Sequence, residues 1–104
     1  MKIEREKIDF DVLFVGGGPA SLAGAIQLMQ IAKKKNMSLE VALIEKGAEI
    51  GSHALSGAVL NPVALKELIP DFLEKQCPIE TTVTQDEFFL LTPKKQYRIP
   101  IIPQ

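Results

Sequence analysis

The sequence predicts an α/β fold built around one parallel strand–helix–strand unit. Two short runs rich in apolar and β-preferring residues, 11–15 (DVLFV) and 39–45 (LEVALIE), have the composition of buried parallel strands. The segment between them has the residue spacing of a helix. Together these three segments fill residues 11–45, close to the size of one such unit. Because crossovers of this kind are almost always right-handed, we expect the two strands to lie parallel and adjacent.

The predicted helix begins at Pro19, since proline suits the first helical turn, where its missing N–H is not needed. One side of the helix is apolar and a second side consists of small residues. Lys33, Lys34 and Lys35 lie where the helix dipole favours cations, and Asn36 suits a left-handed cap. The helix should therefore end there.

The rest of the chain predicts an irregular loop, a short helix and a β-hairpin. The stretch 46–60 contains three glycines and has no clear periodicity, so we interpret it as the loop. Asn61-Pro62 indicates the start of the short helix, which should stop or kink before Pro70. Two extended runs, 86–91 and 96–102, are separated by TPKK and predict the hairpin.

Composition excludes several classes of function. Apolar residues make up 46% and charged residues 24% of the chain, as in soluble globular domains. Twelve basic residues nearly balance thirteen acidic ones, which argues against a nucleic-acid-binding surface. A single cysteine, Cys77, provides neither a disulfide nor a metal-binding pair. The first residues mix acidic and basic side chains, so we expect neither a signal peptide nor a transit peptide.

The main chemical signal is the glycine-rich turn VGGGPAS between the first strand and the helix. Gly16, Gly18 and Ser21 occupy the positions of the G-x-G-x-x-G fingerprint. The first glycine permits a tight turn, the second lets a pyrophosphate approach the backbone, and the third position brings helix and strand together. N–H groups at the helix start would bind the phosphates. Ser21 departs from glycine, and we expect it to loosen the packing without destroying the site.

An acidic residue, Glu45, ends the second predicted strand, near the offset of about 20 residues expected for a ribose-binding acid. Its carboxylate would accept hydrogen bonds from ribose hydroxyls and repel a 2′-phosphate, so the sequence favours FAD or NAD over NADP. The alternative is a turn that binds no ligand, with Glu45 as a solvated strand end. The agreement between the motif and its surroundings favours the dinucleotide site.

Three stretches resemble the electron-transfer-flavoprotein:ubiquinone oxidoreductase family and, more distantly, the geranylgeranyl-reductase flavoproteins. They cover almost the whole chain from Asp11 onward: GGGPASLAGAIQL, VALIEKGAEIGSHALSGAVLNPVALKELIPDF and TTVTQDEFFLLTPKKQYRIPI. The Gly-Pro-Ala element is common among flavoproteins, whereas IEKGAEIGSHALSGAVLNP together with ELIPDF is much more specific. The resemblance implies that residues 1–104 are the amino-terminal part of an FAD-binding domain, with a partial Rossmann-like fold that is apparently truncated.

The resemblance also implies an activity. Members of this family are FAD enzymes that accept electrons from electron-transfer flavoprotein and pass them to ubiquinone, using an iron–sulfur cluster. The cluster ligands are cysteines of a carboxyl-terminal region that this chain does not reach. Peripheral membrane contact is implied as well, at the cytoplasmic face of the bacterial inner membrane or at the mitochondrial inner membrane. The flavin carries the redox chemistry, so we assign no catalytic side chain and no metal ligand.

The candidate cofactor-binding residues follow from the turn and from the resemblance. The turn would hold the FAD pyrophosphate, Glu45 the adenosine ribose, and the loop GSHALSG would approach the flavin. His53 could instead stabilise the local backbone, and Ser56 and Gly57 fit a structural turn equally well. The full set is Gly16, Gly17, Gly18, Pro19, Ala20, Ser21, Glu45, Lys46, Gly51, His53, Ser56 and Gly57.

Two other functions stay open at this point. One is a different FAD- or NAD-linked reductase or monooxygenase with the same fold. The other is a non-catalytic nucleotide-binding fragment, because the parallel sheet would have only two strands and its apolar faces would stay exposed. An apolar stripe that begins at Val63 is interpreted as core packing, although a membrane-contacting helix would show much the same pattern.

Overall fold

The computed structural model describes residues 2–55 and 57–100. The chain divides into two compact units, Met1–Asp71 and Phe72–Gln104. Helices and strands are mixed, which confirms the predicted α/β class. The first unit contains β1 (Val12–Val15), α1 (Pro19–Lys34), β2 (Val41–Ile44) and α2 (Val63–Leu68), and the second contains β3 (Phe88–Leu91) and β4 (Gln96–Ile99).

β1 and β2 pair in parallel, and α1 is the crossover between them. The register runs from Val12 opposite Val41 to Val15 opposite Ile44. The predicted strand–helix–strand unit is therefore confirmed. Both strands have four residues and are shorter than the predicted runs 11–15 and 39–45.

Only one face of this sheet is covered within the described residues. Burial alternates along β1, and α1 packs on the side that carries Phe14. On the opposite side, Leu13 and Val15 are 52% and 74% exposed. The prediction of buried strands is therefore wrong: three of their eight side chains are exposed and the other five are half-buried. Parallel strands are buried on both faces when helices cover both, and α1 covers one.

α1 begins and ends as the sequence predicts. Pro19 is its first residue, and Gly18 is the N-cap in an extended conformation. After the last turn, Asn36 has a φ of 53°. Its N–H donates to the Lys33 carbonyl oxygen at 3.2 Å, and the Met37 N–H donates to the Ala32 carbonyl oxygen at 2.8 Å. These two bonds are the Schellman arrangement, which ends a helix with one left-handed residue.

α2 is the predicted short helix, and it ends before Pro70 as expected. The side-chain oxygen of Asn61 accepts the Val63 N–H at 3.1 Å, which pairs one of the N–H groups that lack an acceptor at a helix start. Nε2 of Gln30, on α1, donates to the Leu68 carbonyl oxygen at 3.0 Å. Leu68 is half-buried. Within the first unit, α2 therefore contacts α1. Val63, where the apolar stripe begins, is 60% exposed, so the packing interpretation of the stripe stays a prediction.

The second unit contains the predicted hairpin. β3 and β4 are antiparallel, with Phe88 opposite Ile99 and Leu90 opposite Tyr97. These four side chains share one apolar face, since cross-strand partners and alternate residues point the same way. β3 is shorter than predicted, since the predicted run begins at residue 86 and β3 begins at Phe88. Residues 101 and 102, which the sequence assigns to the second strand, lie outside the described residues.

Candidate cofactor-binding site

The turn between β1 and α1 is formed by Gly16, Gly17 and Gly18. The Gly16 N–H donates to the Ile44 carbonyl oxygen at 2.7 Å and so extends the parallel sheet by one bond. Gly16 has a φ of +98°, in the left-handed region that favours glycine. The tight bend that the fingerprint assigns to its first glycine is therefore present at this residue.

The start of α1 presents backbone donors that no described residue pairs. The first backbone bond of the helix joins the Leu22 N–H to the Gly18 carbonyl oxygen at 3.0 Å. The N–H groups of Gly18, Ala20 and Ser21 precede it and have no acceptor within the helix. No side chain caps the helix, and its first turn carries no acidic residue. These donors and the positive end of the helix dipole are the arrangement that binds phosphate groups.

The space around the turn differs between its second and third glycines. A Cβ built at Gly18 has no heavy atom within 4 Å, so the backbone there is open to a ligand. A Cβ built at Gly17 would overlap Cδ1 of Ile50 and lie 2.9 Å from Oε2 of Glu45. Gly17 is buried, whereas Gly18 is exposed. The open approach that a pyrophosphate requires is therefore at Gly18.

Glu45 connects the end of β2 to the turn. Its Oε2 accepts the Gly17 N–H and its Oε1 accepts the Gly47 N–H, both at 2.9 Å. These bonds, first that of Gly47 and then that of Gly17, lower the pKa of the Glu45 carboxyl below its ordinary value of 4.5, while partial burial opposes the shift. An ionised carboxylate offers about four lone-pair positions. Each oxygen therefore keeps room for a further donor such as a ribose hydroxyl.

The loop that follows Glu45 is folded by short-range contacts. The Ser52 hydroxyl accepts the Glu49 N–H at 2.9 Å and donates to the Glu49 carbonyl oxygen at 2.7 Å. Gly51, which precedes Ser52, has a φ of +89°. His53 lies beside Gly47, since a Cβ at Gly47 would be 3.2 Å from Cε1 of His53. The electrostatic interaction with His53 is the smallest of the contributions that lower the pKa of Glu45.

The structure brings together part of the predicted set of site residues. The turn, the first residues of α1 and Glu45 lie together, and His53 is within reach of the Glu45 charge. Lys46 and Gly57 are exposed, and Gly57 has a φ of +92°. Ser56 lies outside the described residues. The cofactor-binding roles of all these residues stay predictions.

The sequence prediction does not include Ile50, although this residue covers the turn at Gly17. The signal that could have identified it is an apolar side chain in a loop that is otherwise glycine-rich and polar (KGAEIGSH). An apolar residue in such a loop indicates that its side chain packs against a neighbouring segment of backbone. Nothing in the spacing of the sequence says which backbone that is.

Two absences concern only residues 2–55 and 57–100. Among them, no group of three or more His, Cys, Asp or Glu side chains is placed to hold a metal ion. The helices found there are also too short, or too polar, to cross a membrane.

Comparison with known proteins gives a consistent set of relatives. The chain is 48% identical over 103 residues to the "Electron transfer flavoprotein-ubiquinone oxidoreductase, mitochondrial" of Rattus norvegicus, which covers 99% of this chain and 17% of the relative. It is 50% identical over 96 residues to the protein of that name from Dictyostelium discoideum, covering 92% of this chain and 16% of the relative. The protein of that name from Arabidopsis thaliana is 46% identical over 96 residues, which cover 92% of this chain and 15% of that relative.

These relatives confirm the resemblance stated from the sequence. The matched region is the amino-terminal part of each relative, and the chain spans only 15–17% of the relatives' own length. No protein-family model matches the chain.

Proposed function

We propose that this chain is the FAD-binding amino-terminal part of a flavoprotein oxidoreductase that passes electrons from electron-transfer flavoprotein to ubiquinone. One observation carries the cofactor site: the Glu45 carboxylate is bonded to the same turn that presents unpaired N–H groups at the start of α1. The similarity to proteins named electron transfer flavoprotein-ubiquinone oxidoreductase supports the electron donor and the acceptor.

The residues around the turn fit the adenosine diphosphate half of FAD. The N–H groups of Gly18, Ala20 and Ser21 would donate to pyrophosphate oxygens, and the space at Gly18 admits the phosphates. Glu45 would accept hydrogen bonds from the ribose hydroxyls through the lone pairs that the backbone donors leave free. A lowered pKa keeps Glu45 ionised at neutral pH, and an ionised carboxylate repels the 2′-phosphate of NADP.

FAD is proposed over NAD because the similar proteins are named for electron transfer from a flavoprotein to ubiquinone. When bound, FAD supplies the reversible uptake and release of electrons. The residues of this chain would bind and orient the dinucleotide, and Gly51, His53, Ser56 and Gly57 would belong to the loop that approaches the flavin. The sheet of β1 and β2 with α1 would form the first part of a Rossmann-like FAD-binding fold, to which residues outside this chain add.

The remaining components are proposed for the longer protein. It would hold its iron–sulfur cluster outside this chain, since the sequence here has a single cysteine. Because ubiquinone dissolves in the bilayer, we also propose that this protein lies against the inner membrane, at the cytoplasmic face in bacteria or in the mitochondrion. The relatives carry the word mitochondrial in their names.

The proposal is tested on the longest natural polypeptide that contains this chain. We expect the purified protein to carry FAD, identified by its visible absorbance and by chromatography of the cofactor released on heating. We also expect it to reduce a soluble ubiquinone analogue when it is supplied with reduced electron-transfer flavoprotein. A protein that retains no flavin after reconstitution contradicts the cofactor site. A flavin-containing protein that oxidises a nicotinamide nucleotide instead, and does not reduce the quinone, supports the alternative reductase or monooxygenase.

A further inference from the structure

Ile50 lies in the loop after β2 and covers the backbone of the turn at Gly17. A Cβ at Gly17 would overlap Cδ1 of Ile50, so the Ile50 side chain is in contact with this glycine. On the same glycine, the N–H donates to Oε2 of Glu45 across 28 residues of sequence. Ile50 and Glu45 thus contact one residue that is itself buried. About half of the Ile50 side chain, 52%, stays exposed.

We propose that Ile50 is a positioning residue: its side chain keeps water from the Gly17–Glu45 hydrogen bond and thereby fixes the carboxylate that recognises ribose. This inference rests on the proposed function, because it assigns Ile50 a part in the same nucleotide site. A hydrogen bond to a half-buried carboxylate is strong when water is kept away and weak when water competes for the donor. The Glu45 carboxylate lies at the end of a flexible side chain, so its orientation depends on the hydrogen bonds that hold it.

The first test does not require a bound cofactor. Hydrogen–deuterium exchange of the peptide that covers the turn, measured by mass spectrometry on the longest natural polypeptide, reports the Gly17 amide. Ile50→Ala should speed its exchange roughly tenfold, the equivalent of one ordinary hydrogen bond. Ile50→Leu, which keeps a Cδ methyl that can reach Gly17, should restore most of the protection. The matched control is Leu55→Ala in the same loop, since Leu55 is 97% exposed.

The second test measures recognition of ribose. The parent protein, stripped of cofactor, should bind ADP more tightly than 2′-deoxy-ADP by roughly tenfold, because the hydroxyl donates to a charged acceptor. Ile50→Ala should reduce this preference several-fold, and Ile50→Leu, which keeps a Cδ methyl, should retain most of it. A side chain that only fills space would weaken both ligands equally and leave the ratio unchanged.

The outcomes separate the inference from the function on which it rests. Unchanged exchange at Gly17, or an unchanged ADP to 2′-deoxy-ADP ratio in Ile50→Ala, overturns the role of Ile50 even if FAD is bound. If the parent binds neither ADP nor FAD, the proposed function fails, and so does the ribose part of this inference. Faster exchange at Gly17 would then still support the contact between Ile50 and the turn.

Discussion

The ring of Phe14 in β1 lies against Gly24 of α1, so closely that a Cβ at Gly24 would be 3.0 Å from Cε1 of the ring. The dinucleotide-binding fingerprint assigns close packing of helix and strand to its third position, which is Ser21 here. In this chain the glycine at which the helix approaches the strand is one turn further on. A serine is therefore compatible with the fingerprint, because Gly24 provides the close contact.

Gly24→Leu tests this contact. A larger side chain would displace the Phe14 ring or the helix, so the free energy of unfolding should fall by about 1–3 kcal/mol. Gly24→Ala should cost less, because alanine gains about 1 kcal/mol in helix propensity over glycine. Chemical denaturation gives both values. Gln27→Leu places the same side chain at an exposed position of α1, and a loss there equal to that of Gly24→Leu would contradict the contact.

The C-terminal end of α1 gives a second prediction. Asn36 has a φ of 53°, a conformation that costs β-branched residues much more than asparagine or glycine. Asn36→Val should lower the free energy of unfolding by about 1–2 kcal/mol, whereas Asn36→Gly should change it little. The neighbouring C-cap residue Lys35 has a φ of −93°, so Lys35→Val serves as the control and should have a smaller effect. Equal losses at the two positions would show that the left-handed conformation is not what matters.

The lowered pKa of Glu45 predicts that the free energy of unfolding depends on pH. Its pKa is lowered in the folded chain by the N–H groups of Gly47 and Gly17. A carboxyl with a lowered folded pKa adds stability at pH values above its ordinary value of 4.5, and this stability is lost as the pH falls through the folded pKa. Glu45→Gln should therefore be less stable than the parent at neutral pH, and the difference should shrink as the pH falls below 4.5.

Urea denaturation across this pH range measures the difference between parent and variant. Glu80→Gln removes an exposed carboxylate of the second unit and is the matched control. A difference between the parent and Glu45→Gln that stays constant from neutral to acid pH would mean that the carboxylate is not held by the turn.

Much of the fold follows from local sequence signals. Pro19 and Asn36 mark the two ends of α1 because each has a backbone preference that acts within one turn. The parallel pairing of β1 and β2 follows from the size of the crossover. Burial of the strands does not follow in the same way, because it depends on which elements cover each face. Leu13 and Val15 have the composition of a buried strand, yet their side chains are exposed in this chain.

The candidate site likewise has features that the sequence predicts and features that depend on packing. The bend at Gly16 and the acidic end of β2 are encoded by residue type and spacing, and the structure has both. The contact of Ile50 with Gly17 and that of Gly24 with Phe14 depend on how a loop and a helix pack in three dimensions. No spacing rule predicts such contacts, since any apolar residue of the loop satisfies the same pattern.

The most direct test of the central claim is the flavin content of Gly18→Val in the longest natural polypeptide that contains this chain. The added side chain would enter the space assigned to the pyrophosphate, where the structure has no atom within 4 Å of a Cβ. We expect flavin per polypeptide to fall by roughly tenfold or more, since hydrogen bonds to charged groups contribute about 1.5–3 kcal/mol each. Thermal unfolding of the flavin-free form should change little. Ser38→Val, at an exposed position away from the turn, should keep its flavin. A Gly18→Val protein that retains as much flavin as Ser38→Val would contradict the assignment of this turn to the cofactor.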